Sequence, residues 1–337
     1  MIETIIEDYS LKNLNTFGID VNAKYFTVAK DVETLKYIVE SCKTDGIKTL
    51  ILGGGSNILF TKDFDGMVIK PDIQDVRIIF EDAKYTYIKA GAGIEWDSFV
   101  EFCVNNNFYG AENLSYIPGT VGASPIQNIG AYGAEAKDII HLVEYIDTED
   151  NTEKEISNSK CNFGYRDSIF KNQLKNRAIV TNVIFKLSNT PNFKLNYGEI
   201  ENLVKAQGEV SAKTIKEVIT EVRKLKLPEP KEIGNGGSFF KNPVVDNQVA
   251  QKIQADYPDM PSYPAGIKTK IPAGWLIEKA GWKGKTVGNC GVHKNQALVL
   301  VNYGGATGNE ILQLSKQIAS DVYKMFGIEI TPEINII

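Results

Sequence analysis

Residues 117–136 read Ile-Pro-Gly-Thr-Val-Gly-Ala-Ser-Pro-Ile-Gln-Asn-Ile-Gly-Ala-Tyr-Gly-Ala-Glu-Ala. Four glycines and two prolines interrupt any helical or strand period here, and few of the residues are charged. A structureless, low-charge loop of this length inside a compact domain is usually functional. The stretch therefore predicts a loop that contacts a flat, extended ligand through main-chain atoms, with a packed connecting loop as the alternative.

A second glycine-rich segment, Gly53-Gly-Gly-Ser-Asn57, follows a short apolar strand predicted over 48–52. Successive backbone N–H groups of such a turn converge on an anion, although an ordinary strand-ending turn explains the pattern equally well. The segment is not the dinucleotide fingerprint G-x-G-x-x-G, because position 58 is Ile. Gly119-Thr-Val-Gly122 makes a second candidate phosphate loop, and two such loops in one chain favour a ligand of dinucleotide size.

The rest of the chain has the pattern of a mixed α/β protein. Apolar residues at helical spacing predict helices over 31–45, 96–104, 211–226 and 309–326. The last helix is predicted to bury Ile311, Leu314, Ile318, Val322 and Met325. Strands are predicted over 67–70, 76–80, 85–90 and 328–337, with strand-like runs through 139–187. Pro332 in the final strand favours an edge position.

Composition narrows the class of protein. At about 150 residues per domain, 337 residues predict two or three domains. The formal net charge is −5 and like charges form no long run, so a basic face that binds nucleic acid is not expected. Only two histidines are present, His141 and His293, which argues against a histidine-rich metal site and favours a structural role for each.

The four cysteines form no C-x-x-C pair, which favours free buried thiols in a reducing cytoplasm. Acidic residues stand near the N-terminus where a signal peptide carries Lys or Arg. No window approaches about eighteen uninterrupted apolar residues. We therefore expect neither a signal peptide nor a membrane span.

The sequence pattern alone does not decide the role of three polar residues. Arg166, beside Gly164, is able to hold a carboxylate in a bidentate fork, and the alternative is a surface pair with Asp167. Ser238 lies in a glycine-rich segment but is not a hydrolase nucleophile elbow, because Phe240 replaces the second glycine. Glu333, on the terminal strand, is by itself explained as a solvent-facing residue.

Taken together, seven segments resemble the UDP-N-acetylenolpyruvoylglucosamine reductases, FAD-dependent enzymes of peptidoglycan precursor synthesis, over nearly the whole chain. The segments are Asn15-Thr-Phe-Gly18, Leu52-Gly-Gly-Gly-Ser-Asn57, residues 117–133, Phe163-Gly-Tyr-Arg-Asp-Ser-Ile-Phe170, Gly237-Ser-Phe-Phe-Lys-Asn-Pro243, Pro272-Ala-Gly-Trp-Leu-Ile277 and Pro332-Glu333. Asn196-Tyr-Gly-Glu199 resembles the longer subtype, which has an extra Tyr-bearing loop over the substrate site.

The resemblance implies an α+β fold. It consists of a two-subdomain FAD-binding fold of the vanillyl-alcohol-oxidase (PCMH) type and a smaller α+β substrate-binding domain. The implied boundaries are 1–70 for FAD-binding subdomain 1, completed by the terminal strand 328–337; 71–219 for subdomain 2; and 220–327 for the substrate-binding domain.

The resemblance also implies the cofactor and the reaction. FAD is bound non-covalently, in agreement with the lack of histidine in either glycine-rich loop. NADPH reduces the flavin, which then passes hydride to the vinyl carbon of UDP-N-acetylglucosamine enolpyruvate, giving UDP-N-acetylmuramate. We expect a cytoplasmic enzyme with no metal, no nucleic acid, no membrane and no obligate protein partner.

Site residues carry over position by position. Arg166 and Glu333 are implied at the substrate carboxylate, and Ser238 is implied as the proton donor. A carboxylate at Glu333 helps a developing negative charge only if it is protonated or orients another donor. The cofactor-binding residues implied are Gly53, Gly54, Gly55, Ser56, Asn57, Pro118, Gly119, Gly122, Ala123, Ser124, Gln127, Asn128, Gly130, Ala131 and Tyr132. The residues implied near the UDP-sugar are Tyr197, Arg223, Lys226, Asn242 and Gln296, with Asn295 as an alternative to Gln296.

Two other functions are compatible with these residues. One is a related flavoprotein oxidase that acts on another alcohol or sugar, and the other is a sugar-nucleotide-binding module without chemistry. A colourless protein would indicate the binding module. NADPH oxidation that depends on the enolpyruvyl substrate would separate the reductase from the oxidase.

Overall fold

The computed structural model describes residues 4–337, which form seven α-helices and twenty β-strands. The helices are α1 Val32–Thr44, α2 Trp96–Asn105, α3 Ile200–Ala206, α4 Ala212–Lys226, α5 Asn247–Asp256, α6 Ala273–Lys279 and α7 Gly308–Phe326. The strands are β1 Ile6–Ser10, β2 Asn22–Ala29, β3 Thr49–Ile51, β4 Ile58–Leu59, β5 Phe64–Pro71, β6 Val76–Glu81, β7 Tyr85–Gly91, β8 Gly130–Ala131, β9 Ala134–Glu135, β10 Ile140–Asp147, β11 Thr152–Ser157, β12 Ala178–Ser188, β13 Gly234–Ser238, β14 Val244–Val245, β15 Tyr263–Ala265, β16 Lys268–Lys270, β17 Thr286–Val287, β18 Cys290–Val292, β19 Val299–Asn302 and β20 Asn335–Ile336.

The chain divides into two compact units. Of the described residues, unit 1 contains 4–9, 23–54 and 64–223, and unit 2 contains 10–22, 55–63 and 224–337. Because the chain passes between the units several times, neither unit is one continuous stretch of sequence. The domain boundaries implied by the resemblance remain a prediction.

The first layer of unit 1 is a sheet in the order β1-β2-β5-β3, in which β2 and β3 both run parallel to β5. Helix α1 begins at Asp31, whose side chain accepts a hydrogen bond from the Thr34 N–H at 2.7 Å. This bond satisfies one of the free donors of the first turn. The apolar face of α1, including Leu35 and Ile38, packs against Met67 and Ile69 of β5.

The second layer of unit 1 is an antiparallel sheet in the order β11-β10-β12-β7-β6. Helix α2 buries Trp96 and Phe99 against Phe185 of β12, with ring centroids 5.8 Å and 4.3 Å away. The indole N–H of Trp96 donates to the Leu114 carbonyl at 2.8 Å. The helix therefore fixes the chain that leads into the glycine-rich residues 117–133.

Unit 2 contains an antiparallel sheet in the order β13-β19-β18-β17, a three-stranded sheet β14-β16-β15 and the parallel pair β20-β4. Helix α7 begins with a capping box formed by Thr307 and Glu310 and ends at Gly327, whose φ is 65°. A glycine adopts this left-handed conformation without the cost of a Cβ.

The helices predicted over 31–45, 96–104, 211–226 and 309–326 are confirmed by α1, α2, α4 and α7. The prediction for Met325 is wrong, because its side chain is 46% exposed. Phe326 takes the buried position in the last turn, where it packs edge-on against Tyr257 and obliquely against Trp275. Both positions satisfy a 3.6-residue period, so only the neighbouring helices distinguish them.

The predicted strand over 328–337 is also wrong in extent, since only β20 (Asn335–Ile336) is regular. Pro332 forms an isolated bridge with Phe240 and offers no N–H to continue a ladder. Residues 117–136 are less irregular than predicted. They include a 3₁₀ turn at Val121–Ala123 and the short hairpin β8–β9.

All four cysteines are free and buried, as predicted. Burial raises the pKa of the Cys161 thiol to about 12, so this thiol stays protonated and unreactive. Within residues 4–337 no helix is long and apolar enough to cross a membrane.

A cluster of charged side chains lies where strand β10 ends, at Asp147. The Asp147 side chain is 1% exposed and accepts two hydrogen bonds of 2.7 Å from the Arg177 guanidinium. Lys154 donates a third bond at 2.7 Å. The hydrogen bonds from Arg177, with those from Lys154, hold the pKa of Asp147 well below its ordinary value of 3.8.

Replacing Asp147 with alanine is expected to lower the free energy of unfolding at pH 7 by about 2 kcal/mol. The loss is smaller than for a fully buried pair, because the Arg177 side chain is 41% exposed. A carboxyl with a depressed pKa in the folded state stabilises above its unfolded pKa and loses that contribution as the pH falls. The difference from the unchanged protein, measured by urea unfolding, should therefore shrink below about pH 4.

Asp150→Ala is the matched control, since Asp150 is an exposed partner of the same Lys154 and should change stability little. Equal effects of the two substitutions would contradict the importance of the buried pair.

Candidate cofactor and substrate site

The two glycine-rich loops predicted from the sequence lie against each other in unit 1. A Cβ at Gly54 would lie 2.8 Å from the Cα of Gly119, and one at Gly53 would lie 2.9 Å from the Thr120 hydroxyl. Such distances leave no room for a side chain between the two turns. Gly54 is exposed and Gly119 half-buried, so these two main-chain turns form one accessible surface.

The Gly119 turn is held by the segment that leads into α2. The N–H of Val121 donates to the Ile94 carbonyl at 2.8 Å, and that of Gly122 donates to Ala92 at 3.0 Å. A Cβ at Gly122 would lie 2.6 Å from that of Ala92. The glycine at 122 is therefore required for packing between two backbone segments.

Polar side chains of the same loop stabilise its conformation through hydrogen bonds. The buried Ser124 hydroxyl donates to the Val121 carbonyl at 2.7 Å, inside its own turn. The Asn128 amide donates to the Gly164 carbonyl at 3.0 Å and accepts from the Lys137 N–H at 2.9 Å. Both polar atoms of the Asn128 side chain thus serve to hold neighbouring loops.

Arg166 occupies a tight turn docked on this loop. Gly164 and Asp167 exchange both backbone hydrogen bonds, and Arg166 between them has a φ of 53°. A non-glycine residue pays a conformational cost there, and such residues cluster at functional sites. The guanidinium donates from Nη2 to the Gly130 carbonyl at 2.9 Å. The turn and this bond together hold a cation at the edge of the glycine-rich loop.

A second cation, Arg223 of α4, belongs to the same cluster. Its Nε donates to the Tyr116 carbonyl at 2.9 Å. Burial lowers the pKa of Arg223, the neighbouring Tyr132 opposes this effect, and the like charge of Arg166 adds to it. Two adjacent arginines create a positive potential that favours an anionic ligand.

Two tyrosines lie next to this cluster, since Tyr132 neighbours Arg223 and Tyr197 packs on Tyr132. The rings of Tyr132 and Tyr197 meet edge to face, with centroids 5.8 Å apart. Burial raises the pKa of the Tyr132 hydroxyl above its ordinary value of 10.0. Tyr197 is 51% exposed. An exposed aromatic ring offers both a stacking surface and a hydroxyl to a ligand.

In unit 2, residues 15–18 connect the turn at Gly55 to strand β13. The buried Asn15 amide donates to the carbonyls of Leu11 and Ile19, at 2.8 Å and 3.0 Å. The Thr16 N–H donates to Gly55 at 3.0 Å, and the Thr16 carbonyl accepts from the Asn235 N–H at 2.9 Å. This segment therefore links the third glycine of residues 53–57 to strand β13.

Ser238 and Glu333 lie on neighbouring backbone segments of unit 2. The Glu333 N–H donates to the carbonyl of Phe239, the residue after Ser238, at 2.7 Å. The Glu333 carbonyl accepts from the Asn57 amide at 3.5 Å. Glu333 is 8% exposed, so the prediction of a solvent-facing residue is wrong. The structure thus brings together Ser238, Glu333 and Asn57, which are far apart in sequence.

The remaining predicted substrate residues of unit 2 differ in their surroundings. The Asn242 Oδ1 accepts from the Ala273 N–H at 2.9 Å, at the start of α6. The Gln296 Oε1 accepts from the Leu298 N–H at 3.3 Å. Asn295 is exposed and donates to the Leu225 carbonyl at 3.4 Å, and Lys226 is exposed at the end of α4. Asn242 and Gln296 therefore each have a structural bond as well as any bond to a ligand.

Comparison with known proteins identifies both parts of the chain. The model of the UDP-N-acetylenolpyruvoylglucosamine reductase C-terminal domain matches residues 229–337, and that of an FAD binding domain matches residues 23–157. The chain is 48% identical to the UDP-N-acetylenolpyruvoylglucosamine reductase of Flavobacterium johnsoniae, with 99% of each chain covered. It is 43% identical to that of Pseudomonas aeruginosa, with 98% of each covered.

The chain belongs to the UDP-N-acetylenolpyruvoylglucosamine reductase family.

Solved structures agree on the fold of this family member. The crystal structure of the reductase from Thermus caldophilus has a TM-score of 0.69 and 22% identity, covering 99% of this chain and 98% of that chain. A solvent-stable cholesterol oxidase has a TM-score of 0.51 at 10% identity, covering 98% and 87%. The predicted α+β fold with an FAD-binding domain is confirmed.

Family membership decides between the alternatives raised by the sequence. The protein is an FAD-containing oxidoreductase, so the binding module without chemistry is wrong, as is an oxidase of another alcohol or sugar. The predicted FAD cofactor and NADPH co-substrate are confirmed. Among residues 4–337, no group of three His, Cys, Asp or Glu side chains is arranged to hold a metal ion.

The loops of unit 1 fit a flavin dinucleotide. Gly53, Gly54 and Gly119 carry no side chain at the accessible surface where the turns meet. Main-chain N–H groups in such turns bind phosphate oxygens without the desolvation cost of a charged side chain. This reductase therefore has the kind of main-chain surface that an extended anionic cofactor requires.

Asn113 and Tyr116 bear on the site but were not predicted from the sequence. Asn113 is 2% exposed and contacts two loops, and the Tyr116 carbonyl holds Arg223. The sequon Asn113-Leu-Ser115 is a chance match that gives no signal for this role, and Asn113 is buried. Both contacts join segments distant in sequence, so no local pattern reports them.

Replacing Gly54 with alanine is expected to reduce the flavin retained per protein by at least about tenfold, because the new Cβ forces the two turns apart. Flavin absorbance at about 450 nm per mole of purified protein, compared with that of the unchanged protein, measures this.

Gly46→Ala is the control. Its φ is 66° and a Cβ at this position would have no atom within 4 Å, so the substitution bears only the backbone cost of about 1 kcal/mol. Retention of full flavin by Gly54→Ala would show that the contact between the loops is not required for binding.

Proposed function

We propose that Arg166, Ser238 and Glu333 are the catalytic residues of this enzyme. The enzyme uses NADPH to reduce UDP-N-acetylglucosamine enolpyruvate to UDP-N-acetylmuramate. The observation that carries the proposal is the bond from the Arg166 guanidinium to the Gly130 carbonyl, 2.9 Å long. It holds a cation on the loop that fits the cofactor. A substrate carboxylate bound there is held beside the reacting centre.

When bound, FAD would supply the electron chemistry, carrying the hydride of NADPH to the vinyl carbon of the substrate. Arg166 binds the substrate carboxylate through charge-assisted hydrogen bonds. As negative charge develops on the carbon that bears the carboxylate, the cation stabilises it more strongly than it stabilises the ground state. Arg223 adds a second positive charge to the same cluster, which supports this role.

Ser238 delivers the proton that completes the reduction. A serine hydroxyl is a weak acid, but a carbanion beside a carboxylate is a strong base and the transfer is favourable when the donor is positioned. Strand β13 positions Ser238, and its pairing with Val299 of β19 fixes that strand. Glu333 either orients the donor or carries a proton itself, and the neighbouring backbone bond to Phe239 supports its place beside Ser238.

Tyr197, Arg223, Lys226, Asn242 and Gln296 bind the UDP-sugar in this proposal. The cations offset the diphosphate charge, and the exposed Tyr197 ring covers the ligand. Gln296 is preferred to Asn295, because Gln296 is half-buried and Asn295 is exposed.

FAD is held in this proposal by the two glycine-rich loops and their flanking residues. The residues that bind it are Gly53, Gly54, Gly55, Ser56, Asn57, Pro118, Gly119, Gly122, Ala123, Ser124, Gln127, Asn128, Gly130, Ala131 and Tyr132. The close contact of Gly54 with Gly119 supports this set.

The setting follows from the substrate. We place the enzyme in the cytoplasm, where NADPH and UDP-sugars are made, and we propose that it acts without nucleic acid, membrane or an obligate protein partner. The domain division proposed is 1–70 with 328–337, 71–219 and 220–327. The free, buried cysteines support a reducing compartment.

Ser238→Ala is expected to separate the two half-reactions. Reduction of the flavin by NADPH should stay within about twofold of the unchanged enzyme, because no proton from Ser238 is needed there. Reoxidation by the enolpyruvyl substrate should slow by roughly 10³-fold or more. Stopped-flow absorbance of each half-reaction measures both rates.

Ser320→Ala, at an exposed position of α7, is the matched control and should change neither rate. Equal slowing of both half-reactions in Ser238→Ala would contradict a role as proton donor.

A further inference from the structure

A short segment after α2, residues 112–116, is fixed on several sides. Glu112–Leu114 form a 3₁₀ turn, and the Trp96 indole N–H donates to the Leu114 carbonyl at 2.8 Å. The Glu112 carboxylate accepts from the Gly110 N–H at 2.7 Å, and the Ser115 hydroxyl donates to the Glu112 carbonyl at 2.6 Å. Glu112, Leu114 and Ser115 are each at most 2% exposed. The segment is therefore a rigid part of unit 1.

Asn113 projects two hydrogen bonds from this segment to two different loops. Its Nδ2 donates to the Tyr132 carbonyl at 2.9 Å and to the Lys194 carbonyl at 2.7 Å. The side chain is 2% exposed, so water does not compete freely for either bond. An amide nitrogen has two hydrogens, and both are used here.

The two loops joined by Asn113 carry the edge-to-face pair of tyrosines. Tyr132 ends the glycine-rich stretch, and Lys194 leads into the exposed residues 196–199, which include Tyr197. The other contacts of this second loop include Phe193 against Tyr109, at 5.9 Å between ring centroids. They also include an ion pair of Lys194 with Asp138 that is partly exposed and therefore weak.

We propose that Asn113 is a positioning residue that sets the Tyr197 loop against Tyr132, and so couples the substrate loop to the cofactor loop. The proposal rests on the proposed function, in which Tyr132 lies at the cofactor and Tyr197 at the UDP-sugar. Asn113 acts through the two carbonyls it holds and does not touch the reacting atoms. Ordering the Tyr197 loop before substrate arrives lowers the conformational cost of binding.

Two substitutions remove the donated bonds in different ways. Asn113→Ala leaves both carbonyls without this donor. Asn113→Asp keeps the shape of the side chain. It places carboxylate oxygens against the carbonyl oxygens of Tyr132 and Lys194, and these oxygens repel one another. This carboxyl would be buried, which favours the protonated form, and that form donates one hydrogen bond again. The Asp variant should therefore recover as the pH falls, whereas the Ala variant should not.

Asn158 provides a matched control. Its Nδ2 also donates to two backbone carbonyls, those of Lys137 and Ile140, at 2.7 Å and 2.8 Å. It bonds to neither the Tyr132 nor the Lys194 carbonyl. Asn158→Ala should therefore lower thermal stability in the same manner as Asn113→Ala without changing the Tyr197 loop.

The first measurement is amide hydrogen exchange of residues 193–199 in the holoenzyme. Asn113→Ala is expected to speed exchange in this segment by about tenfold, whereas Asn158→Ala leaves it unchanged. Unchanged exchange in Asn113→Ala would overturn the proposal, whatever the role of Tyr197 in binding substrate.

The second measurement is steady-state and stopped-flow kinetics. Asn113→Ala should raise KM for the enolpyruvyl substrate by about tenfold, in keeping with two lost hydrogen bonds, and leave flavin reduction by NADPH within about twofold. For Asn113→Asp the rise in KM should diminish from about pH 8 to about pH 6. A KM that stays at the value of the unchanged enzyme in both variants, although Tyr197→Ala raises it, would reduce Asn113 to a structural residue and overturn the proposal.

Tyr197→Ala separates this proposal from the proposed function on which it rests. If Tyr197→Ala leaves KM unchanged, the assignment of Tyr197 to the substrate fails. Faster exchange of residues 193–199 in Asn113→Ala would then still support the tether. If Tyr197→Ala raises KM and Asn113→Ala changes neither exchange nor KM, the site stands and the tether fails.

Discussion

Close approach of main chain to main chain is the constraint on which the two glycine-rich loops of unit 1 depend. Gly54 lies against Gly119, and Gly122 lies against Ala92, at separations that exclude even one methyl group. These approaches make an accessible surface from backbone rather than side chains. Backbone N–H groups have fixed directions and no charge of their own, so they bind phosphate without a large desolvation cost. An acidic protein, with a formal net charge of −5, is able to bind anionic ligands in this way.

Arginine side chains supply the full positive charge that the backbone N–H groups lack. Arg166 and Arg223 both carry their positive charge near the glycine-rich loop. Burial lowers the pKa of Arg223, and the like charge of Arg166 adds to this effect. Keeping like charges together costs stability, which a bound anion offsets. The left-handed backbone of Arg166 is a second cost at the same place. Both costs support the proposal that these two arginines serve a ligand rather than stability.

Buried asparagine amides hold the irregular segments in both units. Asn15 and Asn113 each donate two hydrogen bonds to main-chain carbonyls, and Asn128 donates one and accepts one. Loops without a regular ladder leave backbone groups that need partners, and burial makes an unmet group costly. A side-chain amide on a rigid neighbouring segment provides the hydrogen-bond partner that these backbone groups require. The loops near the site are thus ordered without being part of a sheet.

Sequence alone determined the elements whose signal is local. Apolar periodicity predicted α1, α2, α4 and α7, and the order of seven motifs indicated the family. The tertiary structure decided which of two equivalent positions, Met325 or Phe326, is buried. It also decided that Glu333 lies buried beside the strand of Ser238, and that Asn113 joins two loops. These outcomes depend on contacts between residues far apart in the chain, and no period or spacing within a short window carries that information.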